Sequence, residues 1–149
     1  MGKRKIPGVG KSKGMQSGFT LFPAGKYLFE IVKHEEKEST KGTSTIHTFR
    51  LRCAEAFADA GADMVDKLYF HRMIEMHEDH SSYEEYAYIF VDELKSLIDA
   101  TGLVVKGDMV NFDEFEGKTF VATVAQKDGQ DAEGNKRKEN VITKYEAEK

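Results

Sequence analysis

His71, His77 and His80 lie within ten residues, together with Glu78 and Asp79. Imidazole and carboxylate groups are ordinary zinc ligands. The run His77-Glu78-Asp79-His80 has i, i+3 spacing, which gathers its imidazoles on one side only in a helix. The segment instead reads as a strand end followed by a loop. It also lacks the H-E-x-x-H order of a helix-borne zinc hydrolase. A metal-dependent enzyme built on His71–His80 is thus an alternative, and neither metal nor cofactor is expected. Gly10-Lys11-Ser12 resembles the end of a phosphate-binding loop, but Lys5 stands where that pattern requires its first glycine and no strand precedes it. Cys53 falls on the apolar side of an alternating strand, where a free thiol is inert packing.

A second set of residues suits different chemistry. Holding a single nucleic-acid strand without sequence preference takes cations along the phosphates and flat rings against the bases. Arg50 and Arg52 fall on one side of a strand, opposite Phe49 and Leu51. If Leu68 and Phe70 are buried on the next strand, alternation turns Tyr69 and His71 outward beside the arginines. Lys37 and Lys41 sit in or near the first hairpin loop. Lys127, Lys136, Arg137 and Lys138 flank a later one. The bland readings are a solvated outer face for the arginines, a core ring for Tyr69 and ordinary surface for the lysines.

Six elements must position these groups. Phe22-Pro23-Ala24-Gly25 is a turn, followed by a strand over 26–33 with Tyr27, Phe29 and Ile31 on one face and Leu28, Glu30 and Val32 on the other. Glu35–Lys41 reads as a charged connection ending in the turn signal Lys41-Gly42. A second strand spans 44–54, and a third about 64–76. Ser82 and Glu85 have capping-box spacing before a helix whose Phe90, Leu94, Leu97 and Ile98 recur at helical period, and Thr101-Gly102 ends it. Strands over 119–126 and 137–145 flank the polar loop 128–135.

The chain has 149 residues, 40% of them hydrophobic and 32% charged, with 13 glycines and 2 prolines. This length fits one domain, and the composition excludes collagen-like and wholly disordered classes. Residues 1–18 carry Lys3, Arg4, Lys5, Lys11 and Lys13 without an acid, while the rest of the chain carries a net charge of −9. A flexible basic arm on an acidic body, 19–146, is the organisation expected. Such an arm suits nucleic-acid contact, an acidic partner or self-association into a homo-oligomer. A single cysteine and the lack of an apolar signal core point to the cytoplasm, with no membrane partner.

Three strands, a helix and a two-strand hairpin make a mainly β, α+β chain. The order matches an OB-fold-like five-stranded Greek-key barrel with its helix between strands 3 and 4. An open sheet covered by one helix fits the same elements. Leu21-Phe22-Pro23-Ala24-Gly25-Lys26-Tyr27, the helix end Leu97-Ile98-Asp99-Ala100-Thr101-Gly102, the step Glu116-Gly117-Lys118 and the closing Asn140-Val141-Ile142 together resemble a phage family of small proteins of uncharacterised role. That family is similar to phage single-stranded DNA-binding proteins with OB-folds. The resemblance implies a non-catalytic protein of the host-cell cytoplasm, binding single-stranded DNA in replication or recombination and meeting proteins of those processes. A virion or protein-interaction component using the basic arm is the other non-enzymatic reading.

Overall fold

Alternating β-branched and aromatic residues build five strands: β1 (Gly25–Glu38), β2 (Ser44–Ala56), β3 (Leu68–Met76), β4 (Thr119–Gln130) and β5 (Lys136–Glu146). The helix α1 (Tyr83–Thr101) lies between β3 and β4. The computed structural model describes residues 3–7, 21–57, 60–130 and 133–148. Lys3 to Pro7 are exposed. Lys11, Lys13 and the Gly10-Lys11-Ser12 motif lie outside the described residues, as does most of the expected basic arm.

The strands form one antiparallel sheet in the order β3-β2-β1-β4-β5. The expected barrel is not closed, because β3 and β5 remain its two edges. Helix α1 packs against β3, β5 and β4, so it covers the gap between those edges. Its buried face is Phe90, Leu94, Leu97, Ile98 and Ala100, and Gly102 ends it in a left-handed conformation at φ 74°. Ser82 occupies the N-cap, but its side chain makes no capping hydrogen bond. The capping box read from Ser82 and Glu85 is therefore not formed.

The inner face of the sheet holds an aromatic core. Phe22 meets Tyr27, Phe29 and Tyr69 edge-on at centroid distances of 5.2–5.6 Å, and Phe29 packs on Phe120 at 6.1 Å. The Tyr27 hydroxyl donates to the Pro23 carbonyl (2.5 Å) and accepts from the Gly61 N–H (3.1 Å). Asn140 on β5 clips the chain entry. Its Oδ1 accepts from the Phe22 N–H (2.7 Å) and its Nδ2 donates to the Phe22 carbonyl (2.8 Å).

A bulge in β1 and the phase of β3 decide what faces where. In β1 the pairing steps from Ile31↔Leu51 to Lys33↔Arg50, leaving Val32 as an extra residue. Such a bulge reverses the in–out phase of everything after it. Tyr27, Phe29 and Ile31 point inward before it, and beyond it His34 is half-buried on that face, with Glu36 paired directly to the buried His47. The charged stretch expected as a connection is therefore strand as far as Glu38, paired to Thr45.

β3 alternates strictly, but in the phase opposite to the one expected. Leu51 pairs with Tyr69, Phe49 with His71 and His47 with Met73. Directly opposed residues share a face, and Phe49 and Leu51 are fully buried. Tyr69, His71 and Met73 are consequently buried, and Leu68, Phe70 and Ile74 are exposed. The expectation that Tyr69 and His71 face outward is reversed.

Candidate nucleic-acid interface

The outer face of β1, β2 and β3 is assembled by the same register. Arg50 pairs with Lys33 on one side and Phe70 on the other, Arg52 with Glu30 and Leu68, and Thr48 with Glu35 and Arg72. Lys37 pairs with Ile46 farther along this face, and Lys41 follows in the turn. Phe70 is 40% exposed, with the Arg50 guanidinium carbon 5.7 Å from its ring centroid. That spacing is a cation–π contact. The Arg50 Nε is buried with no hydrogen-bond partner.

Charge pairing separates these cations. Arg52 donates to Asp66 (2.7 Å) and Glu30 (3.4 Å), which together hold its guanidinium charged. Asp66 stands in the left-handed region at φ 71°, a conformation that Asp tolerates better than most residues. Arg50 has one longer contact, to Glu35 at 3.5 Å, and Lys33 reaches the same carboxylate. Arg72 forms no ion pair among the described residues. Beside the exposed Phe70 ring, Arg50 could exchange its long carboxylate contact for a phosphate, and Arg72 could take one without giving up an ion pair.

The remaining expected cations lie elsewhere. The six-residue pairing of β1 with β4 runs from Gly25↔Val124 to Glu30↔Thr119. Beyond it, the β1–β2 hairpin extends one way and the β4–β5 hairpin the other. Lys127, Lys136, Arg137 and Lys138 belong to the second hairpin, where Lys138 binds Asp128 at 2.6 Å and Arg137 approaches Glu139 at 3.5 Å. A cavity of about 660 Å³ beside α1, lined by Phe90, Leu94, Ile98 and Phe112, is mostly apolar and unsuited to a phosphate chain.

Tyr69 and His71 serve the interior. Burial raises the Tyr69 phenol and pushes the His71 imidazole down to about 4, so His71 is neutral near pH 7. The other histidines of the expected cluster are not brought to it. His77 Nε2 bonds the Thr45 hydroxyl (2.8 Å), and His80 Nδ1 accepts from the Ser82 N–H (3.0 Å). Cys53 is buried, and burial pushes its thiol up, as its place on the strand suggested.

A different histidine pair escaped the sequence reading. His34 Nε2 and His47 Nδ1 are 2.9 Å apart, and His47 Nε2 bonds Glu75 Oε1 at 2.8 Å. The residues come from three strands, and the β1 bulge that turns His34 inward leaves no signature in residue type. Phe70 and Arg72 were missed because β3 is apolar on both faces and its phase is set by pairing with β2. The chain matches no protein-family model and no curated protein.

Proposed function

We propose that the chain is a non-catalytic single-stranded DNA-binding protein of OB-fold type, acting in phage replication or recombination. The observation that carries this reading is the Arg50–Phe70 pair on the open outer face of β2 and β3, with Arg72 beside it. A base stacks on the Phe70 ring while Arg50 and Arg72 take the flanking phosphates. The strand order supports the reading: β3-β2-β1-β4-β5, with a helix between β3 and β4, is the order expected of an OB-fold barrel opened between its third and fifth strands. In that fold the second and third strands form the ligand face. The resemblance of residues 21–27, 97–102, 116–118 and 140–142 to phage proteins of this type points the same way.

Titration of the full chain with a homopyrimidine oligonucleotide, and with its duplex, at two salt concentrations tests the proposal. Preference for the single strand, weakening linearly in log–log form with salt, is the expected result. Equal affinity for duplex, or no binding at low salt, would overturn it. Binding of an acidic protein through Lys3, Arg4 and Lys5 instead would favour the interaction-component reading.

A further inference from the structure

We infer that His34, Glu36 and His47 form a binding site for a divalent transition metal of the zinc class. The inference is independent of nucleic-acid binding and concerns the opposite face of the sheet. The ligand atoms of the three residues lie within 4.8 Å of one another. His34 Nε2 and His47 Nδ1 are 2.9 Å apart, and Glu36 Oε1 is 4.0 Å and 3.8 Å from them. Three atoms so spaced leave a point about 2.1 Å from each, which is the zinc–imidazole and zinc–carboxylate distance.

The surroundings favour the ligating state. His47 directs its Nε2 to the Glu75 carboxylate at 2.8 Å. A carboxylate behind an imidazole fixes its tautomer, leaving Nδ1 as the bare, basic nitrogen, as in carboxylate–histidine–zinc arrangements. His34 needs only to carry its proton on Nδ1 rather than Nε2, so the neutral ring becomes a ligand without losing a proton. Burial and the neighbouring His47 hold the His34 imidazole below its ordinary range, while the carboxylates of Glu36, Asp113 and Glu116 oppose that shift through a negative local field. A cation is favoured in that field.

Both rings are also immobilised. Phe112 stacks on His34 (4.5 Å, 17°) and on His47 (4.8 Å, 22°), and Phe90 stacks on the latter at 5.0 Å. The imidazoles are nearly inaccessible, whereas the Glu36 side chain is half exposed. An ion enters from the carboxylate side, and its fourth position is left to water. Two imidazoles and one carboxylate select zinc, cobalt or nickel over magnesium and calcium, which prefer all-oxygen sites. Bound metal would pin the β1–β2 hairpin to itself beyond the bulge, and through Glu75 to β3.

The test uses the full chain, free of any histidine tag and stripped with chelator. It is titrated with Zn2+, and with Co2+ as a spectroscopic probe. The expected result is one equivalent of Zn2+, visible Co2+ bands of a four-coordinate site, and no competition by excess Mg2+. Glu36→Gln and His34→Gln should each weaken binding about tenfold or more, and Glu75→Gln, at a positioning residue, by about 10–100-fold. His80→Gln should leave binding unchanged. Glu36 is exposed enough for its variant to fold whether or not the histidine variants do. Failure to bind one equivalent, unchanged affinity in Glu36→Gln, or loss of binding in His80→Gln would each overturn the assignment.

Discussion

His71 on β3 and Tyr145 on β5 join the two unpaired edges of the sheet through a 2.6 Å hydrogen bond between Nε2 and the phenolic oxygen. The strands on either side of this bond exchange no backbone ladder. His71 is buried and Tyr145 half-buried, so the imidazole depends on the phenol for its polar partner. Tyr145→Phe should destabilise the fold by about 1–3 kcal/mol, the cost of leaving a buried nitrogen unmatched. Urea melts of the two proteins measure this, and an unchanged midpoint would show the bond to be dispensable.

The same pair predicts a pH dependence. The His71 imidazole is held at about 4 by burial, against about 6.5 in an unfolded chain. Between those values the unfolded chain binds a proton that the folded one refuses. Stability is therefore full above about pH 6.5, falls by up to about 1.4 kcal/mol per unit as pH drops, and levels off below about pH 4. His34, lowered by burial and by His47, adds in the same direction. Denaturant melts of His71→Phe across this window should show a shallower slope, and an identical slope would refute the assignment.

Phe70 and Tyr69 are neighbours on opposite faces of β3, one exposed and one buried. Phe70→Ala should weaken single-strand binding by about 1–3 kcal/mol and leave the melting temperature nearly unchanged. Tyr69→Ala should cost about 3–5 kcal/mol of stability, as truncation of a core ring does. Affinity and stability measured on both variants decide the matter. The reverse pattern would return Tyr69 to the outer face.

Arg72 should act through charge. Arg72→Ala is expected to lower the log–log salt slope of single-strand binding by about 0.7, the contribution of one phosphate contact. Arg52→Ala should change that slope less, because Asp66 and Glu30 already engage its guanidinium. Equal slopes for wild type and Arg72→Ala would remove Arg72 from the interface.

Gly25 predicts a backbone effect. Its φ of 151° is one that side chains rarely adopt, and an added Cβ would stand 2.7 Å from Ala60 Cβ and 2.9 Å from its Cα. Gly25→Ala should destabilise by about 1–3 kcal/mol from strain alone. A thermal melt within one degree of wild type would mean that the loop around Ala60 gives way freely.

Where residue type and period agree, the elements were legible in the sequence. Helix α1 is the plainest case, since Phe90, Leu94, Leu97 and Ile98 form a stripe that only a helix gathers, and Gly102 ends it. Tyr27, Phe29 and Ile31, or Phe49, Leu51 and Cys53, alternate cleanly and are buried. Phase failed where both choices looked alike. On β3, Leu68-Phe70 and Tyr69-His71 are each plausible as core, and only the register opposite Phe49 and Leu51 selects the second. On β1, one additional residue at Val32 reverses every later side chain. Both candidate sites depend on those two local choices. The open β3–β5 edge was equally out of reach, because strand order along the chain does not say whether the last pair closes.

The clip between Asn140 and Phe22 has a consequence for how the protein is born. Phe22 lies just before β1, and the side chain that takes both its N–H and its carbonyl lies 118 residues later. At roughly 5–20 residues per second, the ribosome delivers Asn140 about 6–24 s after Phe22. For most of that interval β1 has β2 for a neighbour but not yet β4. Tyr27, Phe29 and Ile31 must wait half covered. The nascent chain thus carries a half-covered strand, a template for aggregation or chaperone capture, until β4 and β5 have been made. A circular permutant that places β4 and β5 ahead of β1 would shorten that wait while keeping the strand order of the finished sheet.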